Sequence, residues 1–431
     1  MDIASIIILI SSFLILLFIG VPVAYSIGIS ATLTLMVSVP IIPAFTTISQ
    51  RMATGLDSFS LLAIPMFVLA GQIMNKGGIA FRLIELAKVL VGRFPGGLLF
   101  VNVISNMLFG SISGSAIASA SAIGGFMLPV MKKEKYPEKL SAAVNITSST
   151  TGLLIPPSNV LIVYSLASGG VSIGALFIAG YIPGILLGIS LMAIGGYFAS
   201  KNNYPVVGKY SFKEALRIFW NALPSLSLLF IIIGGIVVGI FTATEASAIA
   251  VAYAFLLTFL YKELKMAELP KVLMDSIITT SVVVLLVGTS MGMSWVMSYV
   301  NIPQTISETL MAISDNKIVI LLIINLVLLF IGTFMDITPA VLIFTPIFLP
   351  VVQELGVEPV HFGIMLILNL SIGLVTPPVG TVLFVGASIA KLKVEDVIRS
   401  MLPLYVAMII VLLLVSYFGD FVMFLPRYFG L

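Results

Sequence analysis

Residues 152–158 read Gly-Leu-Leu-Ile-Pro-Pro-Ser, and 221 residues further on, residues 373–380 read Gly-Leu-Val-Thr-Pro-Pro-Val-Gly. Both copies lie in apolar sequence. A Pro-Pro pair must interrupt a helix there, because proline has no N–H to donate and its ring clashes with the preceding turn. Broken helices at matching positions of two halves are typical of secondary membrane transporters, which bind substrate and coupling ions at the breaks.

Further landmarks repeat at nearly the same spacing. The matching pairs are Gly110-Ser111 with Gly332-Thr333, Leu128-Pro129 with Leu349-Pro350, and Pro183 with Pro403, 220 to 222 residues apart. The chain is therefore predicted to consist largely of two structural repeats.

Composition identifies the class of protein. Of the 431 residues, 60% are hydrophobic and only 9% are charged, whereas soluble domains carry about 25% charge. Cysteine is absent and His361 is the single histidine, which excludes disulfides, thiol nucleophiles and histidine-cluster metal sites. His361 is expected in a loop near a helix start. Lys and Arg form no basic stripe, so nucleic acid is not a predicted partner. We predict a polytopic helical protein of the lipid bilayer.

Two of the apolar stretches differ from the rest. These stretches, at about 95–131 and 317–353, are too long for one crossing and have small or polar residues in the middle. Each is therefore predicted to be a re-entrant hairpin. The other stretches are predicted spans, at about 3–20, 22–40, 58–75, 140–168, 172–199, 215–240, 243–261, 272–298, 359–390 and 400–419.

The positive charges support this topology. With both stretches as hairpins, all but three of the 21 Lys and Arg residues fall on one side, which marks that side as cytoplasmic. The exceptions are Arg51, Lys317 and Arg427. The first hairpin then opens to the cytoplasm and the second to the outside, so the repeats are inverted and both termini lie outside.

The predicted organisation has four parts. Residues 1–57 form N-terminal scaffold spans, 58–200 the first repeat, 201–271 linking spans and 272–431 the second repeat. Amphipathic segments 79–93 and 302–313 precede the hairpins and are predicted to lie along the membrane surface; ordinary polar ends of spans are the alternative.

The hairpin tips are candidate cation sites. The first is predicted to turn over residues 110–115, with hydroxyls from Ser111, Ser113 and Ser115, and the second near residues 332–339. Unwound backbone carbonyls at the facing breaks, 152–157 and 373–378, can coordinate Na⁺. The run from Ser111 to Ser121 has a competing interpretation as small residues for helix packing.

Asp336 is the one carboxylate expected deep in an apolar region, where an ionisable group is costly and indicates function. The alternative is a simple N-cap for the helix that follows.

The half-helices after the breaks present positively polarised N-termini, which favour an anionic substrate such as a carboxylate. The candidate substrate ligands are Asn145, Ser158, Asn159, Thr338 and Asn369.

The two Gly-x-x-x-Pro-Pro breaks, the Gly-Ser-x-Ser-Gly-Ser tip and the Gly-Thr-x-x-Asp-x-Thr-Pro tip resemble the large membrane subunit of tripartite ATP-independent periplasmic (TRAP) transporters. The resemblance covers essentially the whole chain. It implies a multi-pass protein of the bacterial inner membrane and an elevator mechanism driven by sodium. It also implies a small four-span membrane subunit, a periplasmic substrate-binding protein, and an organic-acid substrate.

By the same resemblance, two or more sodium ions bind at the tips and breaks. The implied ligands are Ser111, Ser113, Ser115, the stretch from Gly152 to Pro156, Gly332, Thr333, Asp336, Gly373 and Thr376. The stretch from Pro156 to Asn159 is more similar to sialic-acid members than to C4-dicarboxylate members. The first alternative is a standalone ion-coupled carboxylate transporter. The second, of a different class, is an intramembrane enzyme or channel; an enzyme would need a base or a metal cluster, and the spans contain neither.

Overall fold

A computed structural model describes residues 3–76, 78–202, 204–206 and 210–431; the predicted cytoplasmic Lys209 lies outside them. Within these residues the chain is helical, with no β-strand. The α-helices are α1 (Ile3–Phe18), α2 (Val23–Leu35), α3 (Ile41–Leu56), α4 (Ala63–Lys76), α5 (Ile79–Val91), α6 (Gly97–Ser113), α7 (Ala116–Lys133), α8 (Glu138–Ser149), α9 (Asn159–Ala167), α10 (Ile173–Asn202), α11 (Phe212–Val237), α12 (Ala243–Tyr261), α13 (Leu269–Tyr299), α14 (Ile302–Ile313), α15 (Lys317–Gly332), α16 (Ile337–Glu354), α17 (Pro359–Gly373), α18 (Thr381–Ala390), α19 (Val394–Tyr417) and α20 (Gly419–Tyr428).

The predicted fold class is confirmed. Seven helical segments of the described chain are long and apolar enough to cross a membrane. They are Phe59–Lys76, Ile173–Asn202, Phe212–Val237, Ala243–Tyr261, Met266–Tyr299, Ile337–Glu354 and Val394–Tyr417. One of them, Ile337–Glu354, is the second helix of a predicted hairpin. Length and apolarity alone do not distinguish such a helix from a full span.

Both predicted hairpins are present as pairs of packed helices. The first consists of α6 and α7, which turn at Gly114; its φ of +61° is a conformation that glycine adopts at little cost. Ser115 then caps α7 by accepting a hydrogen bond from the Ala118 N–H at 3.3 Å. The predicted turn over 110–115 was therefore too long, because α6 remains helical to Ser113. The second hairpin consists of α15 and α16, joined by residues 333–336.

The broken helices also follow the prediction. In the first repeat, α8 ends at Ser149, a 3₁₀ turn covers Thr150–Leu153, and α9 begins only at Asn159. In the second repeat α17 ends at Gly373 and α18 begins at Thr381. The Pro156–Pro157 and Pro377–Pro378 peptide bonds are both cis.

The two repeats interlock. The second half of each broken helix packs on the other repeat's hairpin, with α9 against α16 and α18 against α7. The Tyr164 hydroxyl in α9 donates a hydrogen bond to the Pro359 carbonyl at the start of α17. The hairpins and breaks of the two repeats therefore form one helical bundle, together with α10 and α19.

The remaining long helices pack beside this bundle. Helix α4 packs on α12, while α2 and α3 pack on α13. These contacts group α1–α4 with α11–α13. The predicted span at 22–40 is shorter in the structure, since α2 ends at Leu35, and α3 was not predicted. Pro40 is the N-cap residue of α3 and separates the two helices.

The amphipathic segments form α5 and α14, each directly before a hairpin. Helix α5 packs on α6 and α11, and its Arg82 guanidinium lies 2.6 Å from the Glu263 carboxylate beyond α12. Helix α14 packs on α16, where the Ser307 hydroxyl donates to Glu354 at 2.7 Å. Each of these helices thus connects to its repeat through close packing.

Candidate ion and substrate site

In the first repeat, the hairpin and the break meet through two glycines. A Cβ atom built on Gly110 would lie 2.6 Å from the Cα of Gly152, closer than real Cβ contacts allow. The two backbones can approach this closely only because neither residue has a side chain. This contact brings the predicted ligands Gly152, Ser111 and Ser113 into one region of the fold.

The second repeat has the same contact. A Cβ atom built on Gly373 would lie 2.5 Å from the Cα of Gly332. The Thr333 carbonyl at this hairpin tip also accepts a hydrogen bond from the Val379 N–H at 3.1 Å, just after the Pro-Pro pair. The predicted ligands Gly332, Thr333, Gly373 and Thr376 are therefore close together.

The serines of the first tip differ in their hydrogen bonds. The Ser111 hydroxyl donates to the Leu108 carbonyl at 2.8 Å. Ser113 is only 7% exposed, and its hydroxyl makes long contacts, 3.5 Å to the Gly110 carbonyl and 3.4 Å to the Ser115 carbonyl. The Ser113 oxygen is thus the more weakly held of the two, and is free to turn a lone pair toward a cation.

The breaks leave carbonyl oxygens without their usual helical donors. Pro156 and Pro157 have no N–H to donate to the Gly152 and Leu153 carbonyls four residues earlier. The second break pairs both of the corresponding groups, because the Gly373 carbonyl accepts from the Thr376 N–H at 2.9 Å and the Leu374 carbonyl accepts from the Val382 N–H at 3.1 Å. The first break therefore keeps more unpaired carbonyl capacity, the kind of ligand that suits a hard monovalent cation.

Asp336 occupies the N-cap position of α16, but its side chain makes no capping hydrogen bond. The side chain is exposed at the protein surface, next to Phe334, which is also exposed. Its position beside Thr333 leaves the carboxylate available to a ligand at the second tip. In this structure the carboxylate is therefore not engaged in a capping hydrogen bond.

Asn145 and Asn369, predicted to bind substrate, are fully buried between a hairpin and a broken helix. The Asn145 amide donates to the Ala120 carbonyl at 2.9 Å and accepts from Asn106 at 3.2 Å. The Asn369 amide donates to the Asn325 side chain at 2.8 Å. Both amides connect a hairpin to a break, and their contact with substrate stays a prediction.

Ser158 and Asn159 lie at the start of α9, and Thr338 lies in the first turn of α16. The Ser158 hydroxyl and the Asn159 side-chain amide oxygen (Oδ1) are buried, and within the described residues neither has a hydrogen-bond partner. The Thr381 hydroxyl, at the start of α18, is also buried without a hydrogen-bond partner among the described residues. Unpaired buried polar atoms are costly, so their presence at both half-helix starts is consistent with polar ligands there.

Sequence reasoning missed two groups of residues at this site. Asn106 bonds to the side chains of Asn102, Asn145 and Ser148, and it accepts from Ser119 at 2.7 Å. Isolated asparagines in apolar helices were the available signal. The second miss is Gly71 of α4, where a Cβ atom would lie 3.2 Å from the Ser113 carbonyl oxygen. Helix α4 thus touches the first tip directly.

His361 lies near a helix start, as expected, but in the first turn of α17 rather than in a loop. It is buried within α17, and Nε2 lies 2.7 Å from the Val415 carbonyl oxygen. The hydrogen bond to a neighbouring helix explains how an imidazole is accommodated inside this bundle.

The comparison with known sequences identifies the family. Residues 10–421 match the family model described as tripartite ATP-independent periplasmic transporter, DctM component. The uncharacterized protein YgiK of Salmonella typhimurium is 54% identical over 425 residues, covering 99% of this chain and 98% of that protein. The 2,3-diketo-L-gulonate TRAP transporter large permease protein YiaN of Escherichia coli is 41% identical, covering 88% and 89%. The sialic acid TRAP transporter large permease protein SiaM of Vibrio cholerae is 40% identical, covering 96% of each chain.

A solved structure shares the fold. The YdaH transporter of Alcanivorax borkumensis superposes with a TM-score of 0.66 at 14% identity, covering 88% of each chain. This similarity concerns architecture alone. The match of residues 10–421 to the family model and the relatives of 40–54% identity identify this protein as a member of the TRAP transporter large-component (DctM) family, a multi-pass membrane subunit of a transporter.

Proposed function

We propose that this chain is the sodium-coupled translocation subunit for the uptake of an organic acid that a periplasmic binding protein delivers. The observation that carries the proposal is the repeated glycine contact between hairpin tip and broken helix, Gly110 with Gly152 and Gly332 with Gly373. In a chain of the DctM family, this contact concentrates backbone carbonyls and hydroxyls at two equivalent points.

Each point is a proposed sodium site, and sodium is cargo that moves with the substrate. The first uses hydroxyls of Ser111, Ser113 and Ser115 with carbonyls in the stretch from Gly152 to Pro156. The second uses Gly332, Thr333, Asp336, Gly373 and Thr376. The Asp336 carboxylate makes the two sites unequal in charge, since the first tip carries only serines.

The substrate is proposed to bind between the start of α9 and the start of the hairpin helix α16. Ser158 and Asn159 supply unpartnered polar groups beside the N-terminus of α9, and Thr338 stands in the first turn of α16, which packs on α9. Positively polarised helix ends favour a carboxylate. The names of YiaN and SiaM support a sugar acid, with sialic acid favoured and a C4-dicarboxylate next.

The proposed motion is that of an elevator. The bundle of α6–α10 and α15–α19 moves against the group formed by α1–α4 and α11–α13, while α5 and α14 connect the two. The contact of Gly71 with Ser113 supports this division, because it brings a helix of one group against the first tip of the other.

The proposed partners are a small four-span membrane subunit and a periplasmic binding protein, and the location is the bacterial inner membrane. The description of the family as tripartite supports this assembly.

The test begins with the binding protein of the same transport system. A thermal-shift screen against sialic acids, other sugar acids and C4-dicarboxylates should identify one ligand. Proteoliposomes with all three components should then accumulate that ligand when sodium is higher outside. Omission of the binding protein or of the small subunit should abolish uptake, whereas robust uptake by this chain alone would support a standalone carboxylate transporter instead.

A further inference from the structure

Helix α20 is a short amphipathic helix that the span predictions did not include. It covers Gly419–Tyr428 and packs on α10, α17 and α19, all within the bundle that carries the breaks. Its three faces have different chemistry, and one of them remains uncovered by the described protein.

The first face of α20 packs inward. Val422, Met423 and Pro426 are buried. At the start of the helix, a Cβ atom built on Gly419 would lie 2.8 Å from Nδ1 of His361. His361 in turn contacts the Val415 carbonyl in α19. The chain therefore turns from α19 into α20 against a buried imidazole.

The second face is charged and exposed. The Arg427 guanidinium lies 2.7 Å from the Asp420 carboxylate and also pairs with Glu358, just before α17. Arg427 thus connects α20 to the residue before α17 through a solvent-exposed ion pair, and Gly419 at the other end lies against His361.

The third face is aromatic and exposed. Phe424 is 61% exposed and Tyr428 is 76% exposed, and Phe421 lies on the same side. This face continues the exposed apolar strip of α19, which consists of Leu402, Val406, Ile409, Ile410 and Leu414 and is followed by the exposed Phe418 just after the helix. In a membrane protein that strip faces lipid, so the aromatic face of α20 extends a lipid-facing surface.

The depth of α20 follows from the length of α19. The 24 residues of α19 span about 36 Å, slightly more than the hydrocarbon core of about 30 Å. Lys393 and Arg399 mark the cytoplasmic end of α19, so Tyr417 reaches the outer boundary of the bilayer. Helix α20 begins two residues later. Aromatic side chains are enriched at this boundary, where one end of the ring system is apolar and the other is hydrated.

We propose that α20 lies in the outer interface of the membrane, with Phe421, Phe424 and Tyr428 inserted among the lipid headgroups and upper acyl chains. The ligand of this surface is the lipid bilayer itself. In this conformation the helix places the outer end of the bundle that holds the breaks against the membrane interface. The proposal is argued from the predicted topology and from the packing of α20, and it does not depend on the transport mechanism.

The absence of native cysteine allows a direct test with single-cysteine variants of the full chain. Phe424→Cys carries an environment-sensitive fluorophore on the aromatic face. Asp315→Cys, in the exposed loop between α14 and α15 on the same predicted side, is the matched control. Both proteins are reconstituted in phosphatidylcholine nanodiscs after their elution profiles are shown to match that of the unmodified chain.

We expect the probe at 424 to emit at shorter wavelength than the probe at 315 and to be quenched severalfold less by iodide. Nitroxide lipids labelled near the headgroup should quench it more than lipids labelled at mid-chain. Equal iodide quenching at both positions would overturn the proposal, as would strongest quenching at mid-chain. Shielding that arises only after a periplasmic partner protein is added would assign the face to that partner. If Phe424→Cys does not fold, Tyr428→Cys gives the same comparison.

Discussion

Gly152 touches Gly110 so closely that a Cβ atom on Gly152 would lie 2.4 Å from the Gly110 Cα, and Gly373 stands in the same relation to Gly332. Two elements that are far apart in sequence thus meet backbone to backbone. A contact this close lets backbone groups of both elements lie near each other, as the proposed ion sites require.

Replacement of Gly152 by Ala is expected to reduce the stability of the chain by about 1–3 kcal/mol, as overpacking of a close contact does, and to abolish sodium-dependent uptake. Gly125→Ala is the matched control, because a Cβ atom at Gly125 of α7 meets no atom within 4 Å. Melting temperature and uptake should both fall in Gly152→Ala only. Equal behaviour of the two variants would mean that the close contact is unimportant.

Ser113→Ala removes a weakly held hydroxyl at the first tip while leaving the carbonyls in place. The sodium concentration that gives half-maximal uptake is expected to rise, with no change in melting temperature. Ser119→Ala provides the contrast, since its hydroxyl bonds to Asn106 at 2.7 Å inside the hairpin. That variant should lose stability and keep the sodium dependence of the unmodified chain. A sodium curve unaltered by Ser113→Ala would assign Ser113 to helix packing.

Asp336→Asn tests the charge at the second tip. Asn and Asp are comparable N-caps, and the Asp336 side chain makes no capping hydrogen bond. The variant should therefore insert and purify normally yet lose most sodium-driven uptake, because the negative charge that stabilises a bound cation is gone. Normal uptake with a normal sodium curve would leave the second site to carbonyls and hydroxyls alone.

The membrane topology is tested by thiol labelling. Single cysteines at Lys135, in the turn between α7 and α8, and at Lys201, at the end of α10, should react with an impermeant maleimide only from the cytoplasmic side. A cysteine at Asp315 should react only from the outside. Labelling of the Lys135 or Lys201 variants from outside would be incompatible with the hairpins and with the inversion of the repeats.

Features with a local cause could be predicted from the sequence. Pro156-Pro157 and Pro377-Pro378 break their helices through proline chemistry alone, so the breaks and their spacing were visible without any tertiary information. The amphipathic helices α5 and α14 were also predicted within a few residues, because the spacing of charged and apolar residues along a helix is a local property of the sequence.

Features that depend on tertiary contacts were missed. Asn106 has no signal that pairs it with Asn145 and Ser148, because that network exists only after the hairpin packs on α8. The first tip is shorter than predicted, since packing keeps Gly110 and Ser111 helical despite their low helix propensity. Helix α20 was missed because ten residues with an internal proline do not resemble a span.

We propose that uptake is driven by sodium bound at the two glycine contacts, Gly110 with Gly152 and Gly332 with Gly373. The most direct measurement is uptake of the identified organic acid by three-component proteoliposomes as a function of external sodium, at fixed pH. We expect the uptake rate to depend sigmoidally on the sodium concentration, because two or more ions move with each substrate. We also expect accumulation to be lost when a sodium ionophore dissipates the gradient. Accumulation that persists without sodium and follows a proton gradient instead would contradict the proposal.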